Sequence, residues 1–199
     1  PAEIATRLKS GQDVIADSIE EASVLFADIV GFTGLTARTP PARLVATLND
    51  IFTRIDALAE RHGLEKIKTI GDAYMVAAGV PRSRPDHASA LAEFALQLVG
   101  IVDDLPPHDG VRLQMRIGMH SGAVVAGVIG RRKFAYDLWG DTVNTAARME
   151  SHGIPGRVHV TAAVMERLDA SFKLESRGTI SVKGKGEMEP WLLVGRART

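Results

Sequence analysis

The stretch SVLFADIV, Ser23–Val30, is an almost continuous apolar run that contains one acid, Asp28. A short run of this kind is typical of a strand that is buried on both faces of a sheet. Gly31 follows the run and is expected to end the strand. Residues 1–20 are charged and weakly helical, so we expect an N-terminal linker or helix there rather than core, and a folded domain over 21–199.

Helix and strand patterns alternate after this run, and proline and glycine mark several of the boundaries. The alternation predicts a single α+β domain, with one sheet and with helices packed on one of its faces. The predicted elements are, in chain order, a helix from Pro40 to Gly63, strands at 64–70 and 73–80 joined by a tight turn, a helix at 86–104, a strand at 111–120, a second strand at 123–129 after a break at Ser121-Gly122, a helix at 141–151, and short strands with one further helix up to residue 194.

Composition limits the possible classes of function. The chain has 199 residues, with 24 basic and 24 acidic side chains and no cysteine. Zero net charge disfavours nucleic acid as a partner, and the lack of cysteine excludes disulfides, thiolate metal sites and cysteine nucleophiles. No stretch of about 20 apolar residues is present that could cross a membrane. Because the chain starts at Pro1, we expect part of a longer, cytoplasmic protein whose membrane or sensor contacts, if any, use a missing N-terminal part.

Two acids each lie at the end of an apolar strand, next to a glycine-containing break. Asp28 ends the first strand, and Asp72 lies in the tight turn between the next two. Two carboxylates on adjacent strands suit divalent cations that also bind phosphate oxygens. The amides of Gly31, Phe32 and Thr33 would then face an anion. The alternatives are a helix cap for Asp28 and ordinary turn chemistry for Asp72.

Other polar residues also have two interpretations. On a regular strand Lys66, Lys68 and Ile70 would share one face, where Lys68 either protects a sheet edge or donates a hydrogen bond inside a pocket. Asn144 and Arg148 are four residues apart and share one face of a helix, either as solvated residues or as site residues.

Two further basic residues are less specific. Lys183 lies in a Lys-Gly-Lys-Gly turn of a kind that is common on surfaces, and Arg116 lies on the polar side of the alternating strand. Each is either a surface or salt-bridge residue or a ligand of phosphate.

Five segments together resemble the catalytic domain of class III nucleotide cyclases, in the order in which that family has its motifs. The resemblance covers residues 20–195 and implies a ferredoxin-like βαββαβ core with extra C-terminal strands and a helix. It also implies a head-to-tail homodimer with two active sites at its interface, in which residues 131–139 form an arm that clasps the other copy. The segments are Phe26–Thr33, Lys66–Asp72, Arg116–Gly122, Trp139–Asn144 and Val182–Gly186.

The resemblance also implies roles for single residues. Asp28, Asp72 and the Ile29 carbonyl would hold two Mg²⁺ or Mn²⁺ ions. The other copy would supply Lys68 and Asp137 to read the base. The amides of Gly31, Phe32 and Thr33 would bind the β- and γ-phosphates, and the side chains of Arg116 and Lys183 would contact the triphosphate. Leu138 would belong to the substrate-binding residues. Asn144 would orient the ribose, and Arg148 would stabilise the transition state.

Lys68 and Asp137 match adenine, which has an acceptor at N1 and a donor at N6, whereas guanylyl members of the family carry Glu at the position of Lys68. The resemblance therefore implies an adenylyl cyclase that forms cyclic AMP and pyrophosphate from ATP. Guanylyl or relaxed specificity, and a non-catalytic module that only dimerises or binds nucleotide, remain as alternatives.

Overall fold

The computed structural model describes residues 1–12, 14–37, 39–105, 107, 112–130 and 134–197, without the side chain of Thr33. Within these ranges no helix is long and apolar enough to span a bilayer. The helices are α1 (Ala2–Lys9), α2 (Phe32–Thr36), α3 (Pro41–Arg61), α4 (His87–Asp103), α5 (Asp141–Ser151) and α6 (Ala162–Met165). The strands are β1 (Ala16–Ile29), β2 (Glu65–Ile70), β3 (Ala73–Ala78), β4 (Met115–Ile129), β5 (Ala135–Trp139), β6 (Val158–Val160), β7 (Phe172–Ser176), β8 (Ile180–Val182), β9 (Gly186–Met188) and β10 (Trp191–Arg196).

The main sheet has the topology that the resemblance implies. β1, α3, β2, β3, α4 and β4 follow one another along the chain, and their strands lie in the antiparallel order β2-β3-β1-β4. β6 joins β4 in parallel, and β10 and β7 extend the sheet. β5 folds back on β4, while β8 and β9 form a separate hairpin. The βαββαβ core with additional C-terminal strands is therefore present.

Both faces of the sheet are covered. Leu25 and Ala27 of β1 point to the face that packs against α3 and α4. Val24 and Phe26 point to the opposite face, where α5 contributes Ala146. The expectation that the helices pack on one face is wrong, because the continuous apolar run of β1 gives the sheet two apolar faces and each needs cover.

β1 begins at Ala16, ahead of the apolar run that starts at Ser23. Its polar first part pairs with the last part of β4, from Ala16 opposite Gly127 to Ile19 opposite Val124. The expectation that residues 1–20 contribute no core is wrong, because Ile4 and Ile15 are almost fully buried. The division of the chain at residue 20 stays a prediction, although β1 crosses it.

β4 is one continuous strand, so the predicted break at Ser121-Gly122 is wrong. Ser121 is buried, and its Oγ lies 2.6 Å from the Oγ of Ser23, which in turn lies 2.8 Å from Nδ1 of His87. These polar atoms satisfy one another inside the sheet, so the serine does not need to leave the strand. The basic residues 131–133 of the predicted arm lie outside the described ranges.

Candidate active site

Asp28 and Asp72 converge at one end of the sheet. Asp28 lies near the end of β1, opposite Ala73 of β3 and Arg116 of β4. Asp72 immediately precedes Ala73 in the β2–β3 turn, where Gly71 has φ +64°. A backbone with that φ suits glycine, and it lets the turn reverse directly beside β1. The pairing of the strands therefore places the two acids side by side, as the sequence predicts.

The electrostatics of the two acids favour a cation between them. Burial, and then the charge of Asp28, raise the pKa of the Asp72 carboxyl above its usual range. Arg116 donates from Nη2 to Oδ2 of Asp28 at 2.9 Å and offsets part of this charge. A bound divalent cation would relieve the remaining repulsion.

The donor set consists of oxygens, as a hard cation prefers. Within the described ranges, no group of three or more His, Cys, Asp and Glu side chains is arranged so that it could hold a metal ion. Backbone or substrate oxygens would therefore have to complete any coordination sphere. The carbonyl of Ile29, the next residue after Asp28 in β1, is the predicted third ligand. The site thus fits a cation that is shared with a phosphorylated ligand.

The segment after β1 forms the predicted glycine-containing turn into a helix. Gly31 has φ +74° and caps α2, and its carbonyl accepts hydrogen bonds from the amides of Gly34 and Leu35. The first amides of a helix have no acceptor within it. The amides of Phe32 and Thr33 belong to this first turn, so they have no acceptor within the helix and could bind phosphate oxygens, as predicted.

Lys68 and Asp137 form an ion pair that joins β2 to β5. Oδ1 of Asp137 also accepts a hydrogen bond from the amide of Leu138 at 2.9 Å. The Leu138 side chain is buried in the core, so only the backbone of this predicted substrate-binding residue is available to a ligand. The lysine donor and the aspartate acceptor therefore lie together, as the base-reading prediction requires.

A bulge in β2 decides where Lys68 points. Lys66 lies opposite Val76 and Lys68 lies opposite Met75, so Ile67 has no partner in the register. Val76 and Met75 are consecutive residues of β3 and face opposite sides of the sheet. The expectation that Lys66 and Lys68 share a face is therefore wrong.

The two lysines consequently have different partners. Lys66 turns toward α3, where its Nζ lies 2.7 Å from Oδ2 of Asp56, while Lys68 turns toward β5 and pairs with Asp137. Lys66 therefore connects β2 to α3 through an ion pair, whereas Lys68 and its partner Asp137 lie at the candidate site.

Asn144 and Arg148 both lie on the exposed face of α5. Neither side chain has a hydrogen-bond or ion-pair partner in the part of the chain that the structure describes. Lys183 is also exposed, in the β8–β9 turn. Lys185 of the same turn pairs with Asp141 at the start of α5, so Lys183 is held near the helix that carries Asn144 and Arg148.

The predicted site residues thus fall into groups. One group consists of Asp28, Asp72 and Arg116, and another group consists of Lys68 and Asp137. Among the described residues, no hydrogen bond or ion pair joins these groups to each other or to Asn144, Arg148 and Lys183.

The sequence reasoning missed Glu150, which lies beside the acid pair. Its Oε1 is 3.3 Å from Nε of Arg116, and its side chain is 14% exposed. Burial, followed by the charge of Asp28, raises the pKa of Glu150 to about 7. Its position four residues after the buried Ala146 was the available signal, because that spacing puts an acid on the packed side of α5.

Comparison with known proteins identifies the family. The sequence profile of the adenylate and guanylate cyclase catalytic domain matches residues 14–195. The chain belongs to this family. The family generally uses divalent metals, in agreement with the two acids at the end of β1 and in the β2–β3 turn.

Individual relatives agree with this assignment. An adenylate cyclase of Mycobacterium tuberculosis is 52% identical over 98% of this chain, and a receptor-type guanylate cyclase, gcy-28, of Caenorhabditis elegans is 43% identical over 98% of it. The cyclase domain described here spans 44% of the first of these relatives and 16% of the second.

A solved structure confirms the predicted fold. The guanylate cyclase domain of RhGC from Catenaria anguillulae, in complex with GTP, superposes with a TM-score of 0.88 at 37% identity. The match covers 91% of this chain and all of that one.

Proposed function

We propose that this cyclase domain converts ATP to 3′,5′-cyclic AMP and pyrophosphate. The ion pair between Lys68 and Asp137 carries the proposal. A lysine donor suits N1 of adenine, and an aspartate acceptor suits its N6 amino group, whereas guanine presents the reverse pattern. The adenylate cyclase of M. tuberculosis, 52% identical to this chain, supports the same choice.

The reaction that we propose is an attack of the ribose 3′-oxygen on the α-phosphorus, with pyrophosphate as the leaving group. Two Mg²⁺ or Mn²⁺ ions, held by Asp28, Asp72 and the Ile29 carbonyl, would lower the pKa of the 3′-hydroxyl and neutralise charge on the triphosphate.

The chain's own residues position the substrate and stabilise charge. The amides of Gly31, Phe32 and Thr33 bind the β- and γ-phosphates, and Arg116 and Lys183 contact the triphosphate. Asn144 orients the ribose. Arg148 stabilises the charge that develops on the α-phosphate in the transition state.

We further propose a head-to-tail homodimer in the cytoplasm, with two equivalent sites. Each site takes Asp28 and Asp72 from one copy and Lys68, Asp137, Asn144 and Arg148 from the other. The support is that no hydrogen bond or ion pair joins Asp28 and Asp72 to the other four residues within the described part of one chain. One chain carries every set, so two identical copies complete both sites.

The test is to incubate the protein with Mn²⁺ and either ATP or GTP, and to identify the cyclic product by mass spectrometry. We expect cyclic AMP from ATP, at a rate per protein that rises with protein concentration as dimers form. Cyclic GTP product in excess of cyclic AMP would instead favour a guanylate cyclase. If neither product forms at any concentration, the domain is a non-catalytic module and the proposal fails.

The base-reading pair is tested in the same assay with Lys68→Glu combined with Asp137→Cys. We expect the double variant to lose most cyclic AMP formation, because it no longer matches N1 and N6 of adenine. Lys173→Glu repeats the lysine-to-glutamate change at an exposed position of β7 and serves as the control. Unchanged ATP turnover in the double variant would show that these residues do not select the base.

A further inference from the structure

Arg116 lies between two carboxylates on different elements. Its Nη2 donates to Asp28 of β1 at 2.9 Å, and its Nε lies 3.3 Å from Oε1 of Glu150 on α5. Asp28 belongs to the acid pair, whereas Glu150 lies behind the guanidinium, on the helix that packs over β4. The two carboxylates therefore hold different edges of the same planar group.

The contact with Glu150 is close but incomplete. Nε of Arg116 and Oε1 of Glu150 are both buried, and neither makes a hydrogen bond of good geometry. Buried polar atoms without a hydrogen bond are costly, so this ion pair calls for an explanation. The explanation that we consider is that the carboxylate acts on the orientation of the guanidinium, which it faces at ion-pair distance.

The backbone of Glu150 is fixed by close packing. A Cβ on Gly118 would lie only 1.9 Å from the Glu150 amide nitrogen and 2.4 Å from the Met149 carbonyl carbon. The last turn of α5 therefore rests directly on β4, two residues from Arg116. The reach of the residue 150 side chain, and not the movement of its helix, determines whether its carboxylate meets Nε.

We propose that Glu150 is a positioning residue for Arg116. It holds the guanidinium by its Nε edge, so that the Nη groups stay turned toward Asp28 and toward the space that a triphosphate would occupy. The inference rests on the proposed function, in which Arg116 contacts the triphosphate. Glu150 itself does not touch the substrate.

The test compares Glu150→Gln, which removes the charge, with Glu150→Asp, which keeps the charge but shortens the side chain by one methylene. With the backbone fixed on Gly118, the aspartate carboxylate withdraws from Nε. We expect both variants to raise the KM for ATP roughly tenfold with kcat changed less than about threefold. The dissociation constant of a non-cyclisable ATP analogue, measured by calorimetry with Mn²⁺, should rise by the same factor. Glu60→Gln, at an exposed position of α3, is the control.

A double variant connects the effect to the arginine. Arg116→Lys keeps the charge but has no Nε, so adding Glu150→Gln to it should raise the KM and the analogue dissociation constant no further. Circular dichroism and the thermal midpoint establish that each variant is folded.

Three results would overturn the inference: unchanged analogue affinity in folded Glu150→Gln, wild-type behaviour of Glu150→Asp, or a full additional loss in the Arg116→Lys background. Wild-type protein that makes no cyclic nucleotide overturns the proposed function instead, and the calorimetric series still decides the role of Glu150.

Discussion

Arg148 has the simplest surroundings of the site residues. It lies on the exposed face of α5, four residues after Asn144, and no described residue of its own chain pairs with it. In the proposed mechanism, Arg148 meets charge that develops on the α-phosphate only during the reaction. Its contribution should therefore fall on the transition state and not on the ground state.

We expect Arg148→Ala to lower kcat about 100-fold or more while the KM for ATP changes less than about threefold. Steady-state kinetics with Mn²⁺-ATP measure both parameters. Arg157→Ala removes another exposed arginine and should leave kcat at the wild-type value. A rise in KM alone would assign Arg148 to substrate binding.

His159 has the opposite environment, since it is fully buried in β6. Burial, and then the charge of Arg177, lower the pKa of His159 from 6.5 to about 4. The unfolded chain therefore takes up a proton below pH 6.5 that the folded chain refuses until about pH 4. The stability that the neutral histidine contributes is complete above pH 6.5 and is lost as the pH falls toward 4.

We expect the free energy of unfolding to fall by roughly 1.4 kcal/mol per pH unit through His159 in this window. Urea unfolding at pH 7 and pH 5 measures it. His159→Gln removes the titrating group, so the difference between the wild-type and variant slopes isolates this histidine from the other groups. Equal slopes would show that His159 takes up its proton at the same pH in the folded and the unfolded chain.

At the scale of elements, the contact between α5 and β4 organises the site. α5 carries Asn144 and Arg148 outward and Glu150 inward, and its last turn rests on Gly118. Any side chain at position 118 would push the helix off the sheet and move all three residues.

We expect Gly118→Ala to lower the free energy of unfolding by about 1–3 kcal/mol, because the new methyl group meets backbone atoms that cannot yield. Gly100→Ala is the matched control: Gly100 lies on the exposed side of α4, and a methyl group added there would have nothing within 4 Å. The control should gain about 0.5–1 kcal/mol, since alanine is the better helix former. Denaturant titration of both variants decides the matter.

Sequence patterns predicted the order of the elements and the meeting of Asp28 with Asp72, because apolar runs and glycine turns are local signals. They did not predict the bulge at Ile67, since nothing in the strand sequence shows that one residue lacks a partner. They also missed Glu150, because its contact with Arg116 depends on the close approach of α5 to β4 at Gly118. The elements and the residues that match the family's motifs were predictable, whereas a contact between distant elements that no motif marks was not.

At the scale of the whole molecule, the proposed site is divided between two copies of the chain, and no hydrogen bond or ion pair joins its two parts within the described residues of one copy. This arrangement predicts that two defective chains can repair each other. The proposed site joins Asp28 and Asp72 of one copy to Arg148 of the other.

We expect Asp72→Ala and Arg148→Ala each to be inactive, and an equal mixture to recover about a quarter of wild-type activity. Half of the randomly formed dimers contain both variants, and each of these has one intact site of two. Mixing Asp28→Ala with Asp72→Ala is the control and should recover nothing, because both acids come from the same copy. Recovery in the control, or its absence in the test mixture of proven heterodimers, would contradict the shared site.

Because Ile67 has no partner in β3, Lys66 and Lys68 point to opposite sides of the sheet, whereas a regular strand would place both on one side. Lys66 secures the sheet to its helix, while Lys68, which we propose reads the nucleobase, points to the other side of the sheet and is free to change. Substrate preference can therefore diverge through exchange of the proposed base-reading side chains, Lys68 and Asp137, while the ion pair that holds β2 to α3 is left undisturbed.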